Sequence, residues 1–311
     1  MNLLDVQNLN TYFPTQDGLV KAVDLVNLQI ADSENVGLIG ETGCGKTVLG
    51  MSIIRLQDSS AQMNGRILYK GRDLLNLTDE EMRSLRGKEI AMILQNPTTS
   101  LNPVLKVGDQ IAEALRLHQG LDKGAAKKKA IDILKSVNIS DAIQRVDQYP
   151  HEFSGGMKER VMIAICLACD PSFIIADEPT KGLDAKTKMQ IVQLLKEVTK
   201  HKSMMMITHD LNVAALICDR VFVMYAGEIL EEGMVWDVLG NPMHPYTRGF
   251  IDSMPCRGLK PIKGMSPSLI DPPTGCRFHP RCDCAMEMCK FEHPKMTEAE
   301  NGHSVRCFLY A

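Results

Sequence analysis

The chain has 311 residues, of which 44% are hydrophobic and 23% charged, and its formal net charge is −3. This composition is typical of globular proteins and excludes a collagen-like chain, a long coiled coil and a disordered chain. The small negative charge gives no electrostatic reason to expect a nucleic acid as partner. The length predicts about two domains. The N-terminus lacks a basic-then-apolar leader, and no apolar run approaches the about 20 residues of a membrane span, so we expect a soluble, cytoplasmic chain.

Segments with strand and helix patterns alternate along most of the chain. The predicted strands are 3–13, 19–30 (as one strand or two), 36–39, 66–69, 90–94, 173–176, 204–207 and 220–225. The predicted helices are 48–56, 78–86, 107–117, 125–137, 154–168, 185–199 and 211–217. Thr78, followed three residues later by Glu81, predicts a capping box at the start of the second of these helices. This alternation predicts an α/β fold with a mainly parallel sheet and a helical insertion at about 96–170. After Met254, seven prolines crowd a segment of low periodicity, which we expect to be irregular and to need a clamp.

A glycine-rich segment, GETGCGKT, follows the third predicted strand at residues 40–47 and fits the pattern G-x-x-x-x-G-K-[ST]. Its glycines allow backbone N–H groups to point at phosphate oxygens, and the next helix adds the positive end of its dipole. Lys46 can reach the terminal phosphates, and the Thr47 hydroxyl can bind Mg²⁺. The alternative, a glycine-rich turn without a ligand, is disfavoured by the position between a buried strand and a helix. The predicted nucleotide-binding residues are Gly40, Glu41, Thr42, Gly43, Cys44, Gly45, Lys46 and Thr47.

Two adjacent acids end the buried strand in FIIADEPT, at residues 173–180. Asp177 can hold Mg²⁺ through water, and Glu178 is then placed to accept a proton from an attacking water. The alternative is a strand end with two solvated acids. Because like charges repel, a bound metal explains the adjacent pair better.

A second glycine-rich helix start, FSGGMKER, occupies residues 153–160. Ser154 is a good helix cap, and the glycines that follow leave the first amides of the helix open to an anion. One chain has no obvious need for two such loops, but two facing chains do, since each loop can close over the other's nucleotide. The segment resembles the LSGGQ signature of the ABC-type ATPase family, with Phe153 in place of Leu and Met157 in place of Gln.

The resemblance covers about residues 1–254, with the family's motifs in the family's order. It implies ATP and Mg²⁺ as ligands, a stacking aromatic at Phe13 (or Tyr12 beside it) and a D-loop acid at Asp184. It implies catalytic roles for Glu178, His209 and Gln95, and Mg²⁺ ligands at Thr47, Gln95 and Asp177. The signature residues that would contact the partner's ATP are Ser154, Gly155, Gly156 and Met157.

Three further segments, QNPTTSLNP, HPYT and GCRFHPRC, look like those of the ATPases of oligopeptide, dipeptide and nickel importers. The resemblance implies an ATPase domain at 1–254, with its helical subdomain at about 96–170, and an extension at 255–311. It implies a second, homologous and non-identical ATPase subunit, two permeases and a solute-binding protein. The chain would then act at the cytoplasmic face of the membrane, as a peripheral subunit.

Peptide is the first substrate that this resemblance suggests, and nickel or a metal chelate is the alternative. Another class, an ABC-type ATPase acting on nucleic acid or the ribosome, is disfavoured. The chain has no long coiled-coil insertion, a single cassette and an acidic balance.

Six of the ten cysteines lie after Met254. Four thiolates can hold an iron–sulfur cluster or Zn²⁺, and the lack of paired C-x2-C motifs disfavours zinc. The resemblance to importer ATPases implies a 4Fe–4S cluster, whose role would be structural. Free thiols are the third alternative. The predicted cluster ligands are Cys276, Cys282, Cys289 and Cys307, with Cys284 and Cys256 left out.

Overall fold

The computed structural model describes residues 2–255, 258–300 and 302–311. The chain divides into two compact units. Unit 1 contains the chain up to Asn76 and from Met206 onward, and unit 2 is Leu77–Met205. None of the described helices is both long and apolar enough to cross a membrane.

The elements follow the predicted alternation. The strands are β1 (Asn2–Thr15), β2 (Gly18–Ala31), β3 (Asn35–Ile39), β4 (Gln62–Tyr69), β5 (Arg72–Asp73), β6 (Ile90–Ile93), β7 (Phe173–Asp177), β8 (Ser203–Thr208), β9 (Arg220–Tyr225), β10 (Glu228–Met234), β11 (Thr297–Glu300) and β12 (His303–Val305). The helices are α1 (Lys46–Ile53), α2 (Asp79–Leu85), α3 (Pro97–Ser100), α4 (Val107–Gln119), α5 (Lys123–Ser136), α6 (Ala142–Arg145), α7 (Gly155–Leu167), α8 (Ala185–Val198), α9 (Leu211–Ile217), α10 (Val235–Gly240) and α11 (Pro245–Asp252).

Unit 1 contains two groups of strands. One is an antiparallel sheet in the order β2-β1-β4-β5, and the other has the neighbour order β11-β12-β10-β9-β3. Strand β3 runs parallel to β9, with Val36 opposite Arg220 and Ile39 opposite Val223. Val36, Leu38 and Ile39 are fully buried, as expected of a parallel strand covered on both faces. The carboxyl end of β3 leads directly into the glycine-rich loop.

Unit 2 contains the predicted helical insertion and the strand that bears the two acids. Strands β6 and β7 are parallel, with Ile90 opposite Phe173 and Ile93 opposite Ala176. All of β7 is buried. The capping box predicted before α2 is confirmed, since the Glu81 amide donates to Thr78 Oγ1 and the Thr78 amide donates to Glu81 Oε2. Strand β8 begins in unit 2 and ends in unit 1.

The C-terminal extension departs from the expectation of a wholly irregular tail. Strand β12 pairs with β10, with Glu231 opposite Val305, and β11 pairs with β12. Val305 is fully buried and Phe278 nearly so, and the extension therefore has its own share of the core of unit 1. The sequences TEAE and HSV are too short for their alternation to predict strands, because strands of this length form only where a partner strand is already present.

Candidate functional site

The glycine-rich loop has the backbone geometry of a phosphate cradle. Gly40, Gly43 and Gly45 have φ angles of 151°, 83° and 109°, a region that side chains disfavour. A Cβ at Gly40 would lie 2.1 Å from the Met224 carbonyl oxygen, and one at Gly45 would lie 2.0 Å from the Ala22 carbonyl oxygen. A Cβ at Gly43 would meet nothing within 4 Å. Two of the glycines are therefore required by close backbone packing, and the third leaves open space above the loop.

Lys46 is buried and holds the loop closed. Its Nζ donates to the carbonyl oxygens of Gly40 and Glu41, each at 2.8 Å. It also lies 3.7 Å from the Cys44 sulfur. Burial raises the pKa of the Cys44 thiol above its usual value. Because the thiol is buried and protonated, the backbone amide is the group of Cys44 that we expect to contribute to phosphate binding.

The Glu41 side chain is bound within unit 1 by the C-terminal extension. Arg281 Nη1 and Nη2 donate to its two carboxylate oxygens at 3.0 and 3.1 Å, and the Ser266 hydroxyl donates as well. Burial acts to raise the pKa of Glu41, but these hydrogen bonds and the arginine charge lower it below the ordinary value. The sequence assigned Glu41 to the nucleotide through its place in the loop and gave no sign of this contact.

The aromatic and histidine candidates also lie in unit 1. The Tyr12 hydroxyl donates a hydrogen bond to Asp24 Oδ1 at 2.5 Å, which fixes the orientation of the side chain. Phe13, the next residue of β1, points to the opposite face and remains the better candidate for stacking on a base. His209 is exposed directly after β8, where a nucleotide could reach it. The following residue, Asp210, caps α9 by accepting from the amides of Asn212 and Val213.

The acids of unit 2 lie at the carboxyl edge of the β6–β7 pair. Asp177 and Glu178 are buried, with 1% and 8% exposure. Glu178 has a φ angle of 50°, which costs conformational energy for a residue with a side chain. Gln95 follows β6 and is exposed. Because Ile93 lies opposite Ala176, the parallel register brings Gln95 to the same edge as the two acids. The structure thus assembles the three unit 2 candidates at one edge.

The signature loop, also in unit 2, presents an open helix start. Ser154 caps α7 by accepting from the Met157 amide at 3.4 Å, and Ser154 and Gly155 are exposed. Phe153 is buried, which explains why another apolar side chain can take the place of the family's leucine. Asp184 caps α8 by accepting from Lys186, from the Thr187 amide and from the Thr187 hydroxyl. This cap is a structural role that its position in the D-loop did not reveal.

Glu159, in the same helix, was missed by sequence reasoning. It is 3% exposed, and its Oε1 has no hydrogen-bond partner among the described residues. Burial raises the pKa of Glu159 to about 8. Its carboxyl is therefore largely protonated at neutral pH. A charged residue flanked by Lys158 and Arg160 gives no sequence signal of burial.

The cysteines of the extension converge on one cavity. Its walls include the four predicted ligands together with Cys284, which the sequence reasoning had left out, and His244. Cys256 lies outside the described residues. Burial, and then neighbouring thiols, raise the pKa of Cys276 to about 12 and of Cys282 to about 11.

In the described part of the chain, no three His, Cys, Asp or Glu side chains are arranged to hold one metal ion. The cavity is narrow, about 10 Å³, and its other walls include Met286, Phe308 and Leu309. A Zn²⁺ ion needs four donors within about 2.3 Å, which this arrangement does not supply. Cysteine thiolates are the usual ligands of iron–sulfur clusters, and the cavity wall contains five cysteines.

Comparison with known proteins shows the family to which the chain belongs. The family described as "ABC transporter" matches residues 23–181, and the "Oligopeptide/dipeptide transporter, C-terminal region" matches residues 230–289. The dipeptide transport ATP-binding protein DppD of Bacillus subtilis is 45% identical over 99% of this chain and 94% of its own length. The oligopeptide transport ATP-binding protein OppD of Haemophilus influenzae is 42% identical over 99% of this chain and 98% of its own.

A solved structure shares the fold. The dimeric ATP-binding cassette MJ0796, in a post-hydrolysis state bound to ADP and Pi, superposes with a TM-score of 0.68 at 28% identity. The match covers 75% of this chain and 98% of that cassette. Fold, phosphate loop and signature helix together define an ABC-type ATPase. The chain belongs to the ABC transporter family as an ATP-hydrolysing subunit, and its C-terminal region is of the oligopeptide/dipeptide type.

Proposed function

We propose that this chain hydrolyses ATP to drive the import of peptides through a membrane permease. The observation that carries the proposal is the match of residues 230–289 to the oligopeptide/dipeptide transporter C-terminal region. Relatives that match along nearly the whole chain bear names of dipeptide and oligopeptide transport. Peptide is therefore favoured over nickel as the transported solute.

The proposed ATP site combines the residues expected from the motifs. The amides of residues 40–47 and Lys46 bind the phosphates, and Phe13 stacks on the adenine. Thr47, Gln95 and Asp177 would hold Mg²⁺, which neutralises charge on the phosphates when it is bound. Glu178 accepts the proton of the attacking water, and His209 contacts the γ-phosphate. Support comes from the open space above Gly43, the exposed His209 and the shared edge of Gln95, Asp177 and Glu178.

The proposed working form contains two ATP-binding subunits that face each other. The signature residues Ser154, Gly155, Gly156 and Met157 would contact the nucleotide of the partner subunit, and Ser154 and Gly155 are exposed at the start of α7. Asp184 would lie beside that nucleotide. The dimeric form of the MJ0796 cassette supports this arrangement. The partner subunit is proposed to be homologous and non-identical, and the pair to act on two permeases fed by a solute-binding protein.

The proposed location is the cytoplasmic face of the membrane, where this chain would be a peripheral subunit. The proposed organisation is an ATPase domain at 1–254, with a helical subdomain at about 96–170, followed by the extension at 255–311. The segment 95–103 would contact a permease. Gln95, Asn96, Thr98 and Thr99 are exposed, which supports a docking role.

We further propose that Cys276, Cys282, Cys289 and Cys307 hold a 4Fe–4S cluster. Their shared cavity supports the proposal, and four cysteine thiolates are the usual ligands of such a cluster. The narrow cavity would have to widen on loading. Protein purified without oxygen should contain iron and sulfide and absorb broadly in the visible range. Stoichiometric zinc without iron would contradict the cluster.

The function is tested by reconstituting the chain with its partner ATPase, permeases and binding protein. We expect peptide-loaded binding protein to stimulate ATP hydrolysis several-fold over empty binding protein. Nickel-loaded binding protein serves as the matched comparison. Stimulation by nickel and none by any peptide would overturn the substrate assignment, and ATP hydrolysis stimulated by RNA or DNA instead would overturn the transport role.

A further inference from the structure

The C-terminal extension forms hydrogen bonds with the phosphate loop at Glu41. Arg281 and Ser266 hold its carboxylate, as described above. The Glu41 amide donates to the Tyr246 hydroxyl at 2.8 Å, and its carbonyl accepts from Lys46. Both the backbone and the side chain of Glu41 are therefore fixed, the amide and the carboxylate by residues more than 200 positions away in sequence.

Arg281 is itself held in place. Its side chain is 7% exposed, and its guanidinium lies 5.7 Å from the centre of the Tyr225 ring and 5.8 Å from that of Phe278. Its Nε donates to the Lys263 carbonyl oxygen at 2.9 Å. A planar, buried, two-point ion pair adds little net stability after desolvation, but it fixes the geometry of both partners. The pair is therefore suited to positioning.

The fixed peptide groups are the ones that hold Lys46. The carbonyl oxygens of Gly40 and Glu41 accept both short hydrogen bonds from its Nζ. A contact path thus runs from Arg281 through Glu41 to the phosphate-binding lysine. A loop that is already formed binds its ligand more tightly than one that must be ordered on binding.

We propose that Arg281 is a positioning residue that holds the phosphate loop in its ATP-binding shape. Nucleotide affinity then depends on the folded extension, through one ion pair. The inference rests on the proposed ATP site in residues 40–47. It assigns to Arg281 a role in ATP binding without direct contact with the nucleotide.

The test measures Mg²⁺-ATP affinity by calorimetry on the full chain carrying Glu178→Gln, so that hydrolysis is slow. We expect Arg281→Met and Glu41→Gln each to raise Kd about three- to tenfold, and the double variant to raise it no further than either alone. Arg281→Lys should recover part of the loss. In the reconstituted transporter with Glu178 intact, Arg281→Met should raise KM for ATP while kcat stays within about twofold of wild type.

Arg248→Met is the matched control. Arg248 also contacts the extension, through the Tyr310 hydroxyl, but it does not reach the loop, so its Kd should not change. Additive effects of Arg281→Met and Glu41→Gln, or a fall in kcat at constant KM, would overturn the proposal. Should Arg281→Met fail to fold, Arg281→Lys with Glu41→Gln completes the same cycle, because lysine keeps the charge but not the two-point geometry. Two results would show that the ATP site itself is misassigned. One is that the Glu178→Gln chain does not bind ATP, and the other is that adding Lys46→Ala to that chain leaves its ATP affinity unchanged.

A second observation concerns His244, which lines the cysteine cavity and is 1% exposed. Its Nδ1 accepts the Tyr246 amide at 3.0 Å, so a neutral ring carries its proton on Nε2. That Nε2 has no hydrogen-bond partner among the described residues. A buried N–H without an acceptor is costly, by about 1–3 kcal/mol, and indicates that an acceptor is supplied by something the protein binds.

The geometry points to His244 as a hydrogen-bond donor to a sulfide of the cluster proposed for the cysteine cavity. Because Nε2 holds the proton, His244 is not a metal ligand in this tautomer. The inference rests on the proposed cluster. Hydrogen bonds to sulfur stabilise the reduced form, which carries more negative charge, and therefore raise the potential.

The test compares the midpoint potential and the electron paramagnetic resonance spectrum of anaerobically loaded wild type, His244→Phe and His293→Gln. His293 is the control, because its Nε2 is bonded to Glu228. We expect His244→Phe to keep its iron and to shift to lower potential, with His293→Gln unchanged. An unshifted potential, or loss of iron in His244→Phe alone, would overturn the donor role. Absence of iron from the wild type would instead overturn the cluster.

Discussion

The ATPase motifs and the cysteine-bearing extension are held in place by different means. The motif contacts that a sequence can reveal join neighbouring groups, such as Lys46 with the Gly40 carbonyl and Ser154 with the Met157 amide. The extension is fixed by pairs far apart in sequence, such as Arg281 with Glu41, 240 positions away. Local contacts produce recognisable motifs, and distant ones do not. The extension could therefore be assigned only by resemblance.

The largest effect should come from the motif that does chemistry. Glu178→Gln removes the proposed proton acceptor, so hydrolysis by the assembled transporter should fall at least about 100-fold. ATP binding should persist, because the phosphate loop is unchanged. Steady-state hydrolysis and nucleotide affinity are measured on the same preparation. Hydrolysis that stays near the wild-type rate would remove Glu178 from the mechanism.

A stability comparison within the phosphate loop should show the next largest effect. Gly45→Ala places a Cβ 2.0 Å from the Ala22 carbonyl oxygen. It should lower the free energy of unfolding, measured in urea, by about 3 kcal/mol or more. Gly43→Ala has the same unfavourable backbone region but open space around it, and should cost about 1–2 kcal/mol. Its main effect should be weaker ATP binding. Equal stability losses would show that packing does not distinguish the two glycines.

The extension can be examined through the choice of cluster ligands. Cys276→Ala removes a buried proposed ligand and should abolish most of the iron content after anaerobic purification. Cys284→Ala removes an exposed thiol at the same cavity and should leave the iron content near that of the wild type. The reverse result would place Cys284 among the ligands in place of Cys276.

The last comparison concerns Glu159, whose effect on stability is visible as a function of pH. The pKa of Glu159 is raised by burial from 4.5 to about 8, so the folded state holds the proton more tightly than the unfolded chain. Its contribution to stability is fully present below pH 4.5 and is lost as pH rises toward 8. Glu159→Gln should leave Tm nearly unchanged at pH 5 and raise it relative to wild type at pH 8. A Tm difference independent of pH would contradict the buried, protonated carboxyl.

The sequence predicted most of the fold, because β7, α9 and β9 bury short apolar runs that alternate with helices. It also predicted the capping box at Thr78 and the cap at Ser154, which depend on neighbours three positions away. It could not predict that Arg281 binds Glu41, since that contact requires the folded extension. Strands β11 and β12 were missed for the same reason.

The burial of Glu159 was hidden by its charged neighbours. The inclusion of Cys284 in the cavity was hidden because spacing alone does not tell which thiols share a site. Both features appear only when elements distant in sequence are packed together.

Peptide uptake by proteoliposomes tests the central claim most directly. The vesicles contain this chain, its partner ATPase and the two permeases, with ATP enclosed and a labelled peptide supplied outside on the binding protein. We predict that labelled peptide accumulates inside with the wild-type chain and stays at background with Glu178→Gln. Hydrolysis of ATP without any peptide accumulation, or accumulation that is unaffected by Glu178→Gln, would contradict the account.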